Sequence, residues 1–197
     1  MKTLYNILLT ILIASSISAC TKGKTENQTT DSLTVSTDTA EVTIKVFQSD
    51  ENFKASFSSF YSGYLKLSDA FVASDVSKII QVAGELNKSL SSFETSALDN
   101  AAQESWKSAS TEIEIALREI GTSKDLELQR VAFSTISNHF YQLIRDFGIK
   151  NQKAYYTYCP MAFNDKGAYW ISSKEEIRNP YFGDKMLTCG VVKEELN

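Results

Sequence analysis

Between positions 53 and 147 the apolar residues recur at steps of three and four, the spacing that lines one face of an α-helix. One stripe runs Phe53, Phe57, Phe60, Tyr64, Leu67 and Phe71, and a second Val76, Ile79, Ala83, Leu86, Leu90 and Phe93. A third runs Leu98, Ala102, Trp106, Ala109, Ile113, Ala116 and Ile120, and a fourth Leu128, Ala132, Ile136, His139, Leu143 and Phe147. The punctuation between stripes fits helix ends. Ser74 is placed to cap the second helix, and Asp99 stands at the start of the third. Gly121 is placed to end the third, Thr122 or Ser123 to cap the fourth, and Gly148 to close it. No proline occurs between Cys20 and Cys159 to interrupt them. Four helices of similar length with short connections predict an antiparallel up-down-up-down bundle over residues 50–149. The Ser74-Asp75 break argues against fusing the first two. The expected fold class is all-α: a four-helix bundle with an irregular, aromatic-rich C-terminal tail, residues 150–197, packed on it as part of the same domain.

The pattern is different at the N-terminus. Lys2 precedes a short apolar run from Ile7 to Ala14 and then small residues, the layout of a secretory signal over residues 1–19. The run is too short to span a bilayer. Ile17-Ser18-Ala19-Cys20 resembles a bacterial lipobox, which predicts cleavage before Cys20 and lipidation of its thiol; ordinary signal cleavage with an incidental cysteine is the plainer alternative. Residues 20–49 are rich in Thr, Ser, Asp, Lys and Asn and bury too little to order themselves, so they read as a flexible tether. Within it, Val42-Thr43-Ile44-Lys45-Val46 alternates in the manner of a short strand. Thr21 is not the aspartate that signals inner-membrane retention in some bacteria. The expected location is therefore the outer membrane, anchored by lipid and facing the periplasm.

Composition narrows the chemistry. The chain of 197 residues has a formal net charge of −4, which disfavours nucleic acid as a partner. Residues 49–149 carry 9 Lys/Arg against 14 Asp/Glu, spread between the apolar steps as on an ordinary solvated face. There is no Ser/His/Asp arrangement, phosphate-binding glycine loop or metalloprotease motif, and Cys159 with His139 is a remote nucleophile pair. The sequence therefore gives no ground to expect an enzyme.

The tail holds the unusual residues. Both prolines, five of the nine tyrosines and Trp170 lie there. Apart from Cys20 and Met1, every cysteine and methionine of the chain falls in one 31-residue window, as Cys159-Pro160-Met161 and Met186-Leu187-Thr188-Cys189. Thiolate and thioether sulfur select Cu(I) and Ag(I) over hard ions, so Cys159, Met161, Met186 and Cys189 are candidate ligands. The only histidine, His139, could join them if the tail folds back on the bundle. Zinc suits this set less well. The competing reading is a Cys159–Cys189 disulfide, the default for a cysteine pair in an oxidising compartment, with a loop-closure contribution of roughly 3–4 kcal/mol. In that case the methionines are gap fillers and His139 an ordinary member of an apolar stripe. Gly167 to Ser172 reads as a turn and a short extended piece, and Asn179-Pro180-Tyr181-Phe182-Gly183 as a turn. The clustered aromatics predict packing on the bundle, with an aromatic ligand groove as the lesser alternative.

Tyr158-Cys159-Pro160-Met161-Ala162-Phe163, Gly167-Ala168-Tyr169-Trp170-Ile171-Ser172, Ile177 to Gly183 and Met186-Leu187-Thr188-Cys189-Gly190 together resemble a bacterial family, the domain of unknown function 3347. A weaker part of the likeness includes Gln129-Arg130-Val131-Ala132-Phe133, and the whole spans about 55–197. That family is found chiefly in Bacteroidetes, alone behind a lipoprotein signal or appended to periplasmic adaptors of heavy-metal efflux pumps. The resemblance implies a periplasmic metal role, with Cys159, Met161, Met186 and Cys189 as ligands and an efflux adaptor as partner; His139 rests on the local argument alone. The functional expectation is a lipid-anchored protein that binds Cu(I) or Ag(I) and buffers it or delivers it to an efflux system. The alternative is a disulfide-stapled interaction module of the envelope without metal.

Overall fold

Each of the four helices opens on an aspartate, and the aspartates set the helix starts. Asp50 Oδ1 accepts from the amide of Phe53 at 2.7 Å, Asp75 from Lys78 at 2.9 Å, Asp99 from Ala102 at 2.8 Å, and Asp125 from Glu127 at 2.8 Å. A carboxylate there satisfies an orphan N–H and meets the positive end of the helix dipole. In the computed structural model, which describes residues 46–196, the helices are α1 (Glu51–Val72), α2 (Val76–Leu90), α3 (Asn100–Thr122) and α4 (Leu126–Phe147). Asp99 and Gly148 act as expected, Gly148 ending α4 at φ 70°. Three expectations are corrected. Asp75 rather than Ser74 caps α2, Asp125 rather than Thr122 or Ser123 caps α4, and α3 runs past Gly121 to Thr122. Asp75 and Asp125 stand directly before the first helical residue, whereas Ser74 lies one position earlier at φ 55°, and a glycine in a helical conformation does not stop a helix. The expected signal peptide (1–19), the lipidation site Cys20 and the tether up to residue 45 lie outside the described residues. The tether's last residues, 46–49, are already docked, with the Phe47 amide donating to the Asp146 carbonyl at 2.6 Å.

Inside the bundle the stripes meet as aromatic rings. From one end to the other, α1 and α4 pair Phe53 with Phe147 at 4.8 Å, Phe60 with Phe140 at 4.8 Å, Tyr64 with Phe140 at 4.5 Å and Phe71 with Phe133 at 4.7 Å. The descending α4 numbers against ascending α1 numbers show that these two helices run antiparallel. Trp106 of α3 and Phe93 of the α2–α3 connection close the Phe53 end, their rings 4.2 Å apart. On α4 the stripe is rotated from the one read in sequence. Phe133, Ile136, Phe140, Leu143 and Ile144 are buried, whereas Leu128 is 62% exposed and His139 only half-buried.

The tail is not irregular, so the all-α expectation holds only for the bundle. It forms β1 (Ala154–Cys159), β2 (Ala168–Ser172) and β3 (Val191–Leu196), an antiparallel sheet in the order β2-β1-β3. The sequence hid two of the strands because Ala154-Tyr155-Tyr156-Thr157-Tyr158-Cys159 shows no alternation, both of its faces being partly covered, and because β3 carries three consecutive charges and is mostly unburied. In the β1–β3 pairing, Tyr156 faces Glu194 and Thr157 faces Val192, leaving Lys193 as the extra residue of a bulge. The outer edge of β2 is bonded by tyrosine hydroxyls: Tyr64 Oη of α1 accepts from the Ile171 amide at 3.0 Å, and Tyr181 Oη donates to the Tyr169 carbonyl. Tyr64 also shares a hydrogen with Ser137 Oγ of α4 at 2.8 Å. One buried hydroxyl therefore ties two helices and the sheet together.

Candidate functional site

Cys159 ends β1 fully buried, and Cys189 lies in the turn just before β3, half-buried. Their sulfurs are 3.2 Å apart. The Cys159 thiol beside it, and then burial, push the Cys189 thiol above its ordinary value.

A chain of polar contacts from the bundle holds this pair. The Cys189 amide donates to the Met186 carbonyl at 3.1 Å, and its carbonyl accepts from Asn179 Nδ2 at 2.7 Å. Asn179 is fully buried and fully bonded. Its Oδ1 accepts from the Tyr181 amide at 2.8 Å, its amide donates to the Leu187 carbonyl at 2.8 Å, and its carbonyl accepts from the Gly183 amide at 3.0 Å. The expected turn at 179–183 is thus present. It is pinned in turn by Arg130 of α4, 3% exposed, whose Nε donates to the Pro180 carbonyl at 3.1 Å and Nη2 to Ser74 Oγ at 3.1 Å. Arg130 Nη1 pairs with Glu127 at 2.7 Å. Gly183, at φ 58°, seats against the end of α1, where a Cβ would lie 2.8 Å from the Val72 carbonyl and 2.7 Å from Ser74 Oγ. Sequence reasoning missed Asn179 and Arg130 as supports of the cysteine pair. The available signals were an asparagine before proline in a turn and an arginine between buried positions of α4.

Met161, 45% exposed, and Met186, half-buried, line one groove of about 830 Å³ together with Leu128 and Val131 of α4. Neither cysteine lines it. His139 is half-buried on α4, and among the described residues no group of three or more His, Cys, Asp or Glu side chains could hold a metal ion. The structure therefore brings the two thiols together and, among the described residues, does not add His139 to them.

The clustered aromatics pack as expected. Tyr141 stacks on Tyr156 at 3.9 Å, Tyr156 on Tyr169 at 4.6 Å, and Tyr169 against Tyr158 at 4.5 Å, with Arg145 over Tyr141 at one end and Lys193 over Tyr158 at the other. Ring faces engaged with one another and with cations are not offered to a ligand. Burial pushes the Tyr156 hydroxyl up to about 12.

Residues 60–152 match the model of a family described as protein of unknown function (DUF3347). The likeness to that family covers the helical part of the chain. The DUF3347 match runs from the middle of α1 through α4, ending just before β1, so it falls on the helices and not on the tail motifs that suggested the likeness. It contains Ser74, Glu127 and Arg130, the bundle side of the contacts that hold the cysteine turn. Comparison with curated proteins and with solved structures gives no match.

Proposed function

We propose that the protein binds a soft monovalent ion, Cu(I) or Ag(I), between Cys159 and Cys189, and buffers it in the cell envelope or passes it to an efflux adaptor. The observation that carries this reading is the 3.2 Å approach of two thiols, with no His, Asp or Glu among the described residues grouped with them as a third ligand. Two sulfurs alone suit a two-coordinate soft ion; zinc asks for four ligands. Rotation of the half-exposed Cys189 side chain would spread the sulfurs to admit the ion. Each thiol that ligates releases its proton, and release of the metal to another carrier is ligand exchange without covalent change. Lipid attachment at Cys20 would keep the site at the membrane surface.

A second reading is favoured by the complete burial of Cys159. In it the pair is oxidised by a thiol–disulfide oxidant, which takes up the two electrons and two protons, and the disulfide staples an interaction module that carries no metal.

A competitive Cu(I) titration of the reduced full chain against a chromogenic chelator tests the first reading. One equivalent should bind, and Cys189→Ser should weaken it by about 100-fold or more. Weak, non-stoichiometric binding that ignores Cys189→Ser would sink it. Protein taken directly from the envelope with the pair fully oxidised and no metal would establish the second.

A further inference from the structure

The two thiols meet, but only one of them is open to the surroundings. Cys159 is 0% exposed, on the central strand β1, where it pairs with Ala168 of β2. Cys189 is half-buried in the turn before β3. That turn fits closely against β1 at the next residue. A Cβ at Gly190 would stand 2.7 Å from the Trp170 ring and 3.2 Å from the Tyr158 carbonyl, so a side chain there would push the turn away. With glycine at 190, and with the Cys189 carbonyl held by Asn179 Nδ2 at 2.7 Å, the sulfurs rest 3.2 Å apart. A disulfide bond is about 2.05 Å long, so the sulfurs have only about 1.2 Å to close.

Resting on the disulfide reading above, we propose that the pair exchanges with an external disulfide in a fixed order, with Cys189 as the attacking thiol and Cys159 as the resolving one. Access and distance separate the two roles. A sulfur with no exposed surface meets no second molecule while the fold is intact, so the first attack falls to Cys189. The Cys189 thiol gives its proton to solvent, and its sulfur attacks one sulfur of the external disulfide. That bond breaks, one thiolate leaves, and a mixed disulfide stands on Cys189. Cys159 then loses its proton and attacks the Cys189 sulfur beside it. The mixed bond breaks and the second thiolate leaves. The pair has given up two electrons and two protons, and the external disulfide has become two thiols. Reduction retraces the path: an external thiolate enters at Cys189, and Cys159 is the sulfur displaced.

Glutathione disulfide added to the reduced full chain, with Cys20→Ser so that only the pair reports, tests the order. The chain with both tail cysteines should pass to the Cys159–Cys189 disulfide without a lasting adduct. Cys159→Ser should stop at one glutathione on Cys189, located by peptide mapping. Cys189→Ser should be modified at Cys159 more slowly by about tenfold or more. Equal rates in the two variants overturn the proposal, and so does a mixed disulfide that persists when both cysteines are present. Because Cys159→Ser sets a hydroxyl in a buried position, the intact pair supplies a second measurement. Less than one equivalent of iodoacetamide should label Cys189 over Cys159 by about tenfold or more, and even labelling overturns the order. A failure of the disulfide reading shows up elsewhere, as a fully reduced pair in protein taken directly from the envelope. The order of attack in the purified chain is then still decided by these ratios.

Discussion

Between α1 and α4 the contacts are rings from end to end, Phe53 on Phe147 through to Phe71 on Phe133. Between α4 and the cysteine turn one ring contact, Phe133 on Tyr181, is joined by hydrogen bonds in series, Arg130 to Pro180 and Asn179 to Cys189. Apolar packing is non-directional and distributed, so loss of one ring lowers the stability of the whole bundle. A serial polar chain is directional, so loss of one link frees what lies beyond it and leaves the rest standing. The bundle is thus a platform, and the turn that carries Cys189 is held to it by the Tyr181 ring and a short series of hydrogen bonds.

The strongest way to probe that contrast is Phe140→Ala. Phe140 contacts Phe57, Phe60 and Tyr64, and its loss should cost about 3–5 kcal/mol, read as a lower midpoint in denaturant with all probes shifting together. Arg130→Met comes next, at about 2–3 kcal/mol, because the stem is kept and only the guanidinium bonds are lost. Here the helix signal should persist while amide exchange rises selectively at 179–190. Uniform loss of protection across the bundle would show that the two regions are not separable in this way. The smallest effect is chemical. In the reduced protein, alkylation of Cys189 should follow a pH profile with its midpoint above that of an ordinary cysteine, so that less thiolate is available near neutrality. Cys159→Ala should move the midpoint back down by removing the leading cause. A profile unaffected by Cys159→Ala would mean that the sulfurs do not meet in solution.

The bundle was legible in the sequence because its information is periodic. Phe53, Phe57, Phe60 and Tyr64 announce a helix face regardless of what they pack against, and the family match confined to 60–152 falls on this periodic part. Even there the period left a rotation open: Leu128 and His139 were read into the stripe, whereas Phe133 and Phe140 occupy it. The tail resisted because its structure depends on partners distant in sequence. Nothing local says that the tyrosine-rich stretch 154–159 is the central strand of a sheet, since its pairing with Glu194 and Val192 arises across more than thirty residues. Likewise Asn179 looks like a turn former and is one. That its amide also holds the Cys189 carbonyl is a fact of three dimensions. The proximity of Cys159 and Cys189 was expected from there being one pair.

The two borders of the small sheet deserve a last comparison of their own. A three-stranded sheet ends in two rows of backbone donors and acceptors, which invite strands from neighbouring molecules. On β2 that invitation is closed by the hydroxyls of Tyr64 and Tyr181, and on β3 the bulge at Lys193 breaks the regular spacing and sets a charge at the irregularity. Were the chain tethered through Cys20 as proposed, copies side by side would meet at high local concentration, the condition under which open strands polymerise, and both guards would act against pairing through the sheet.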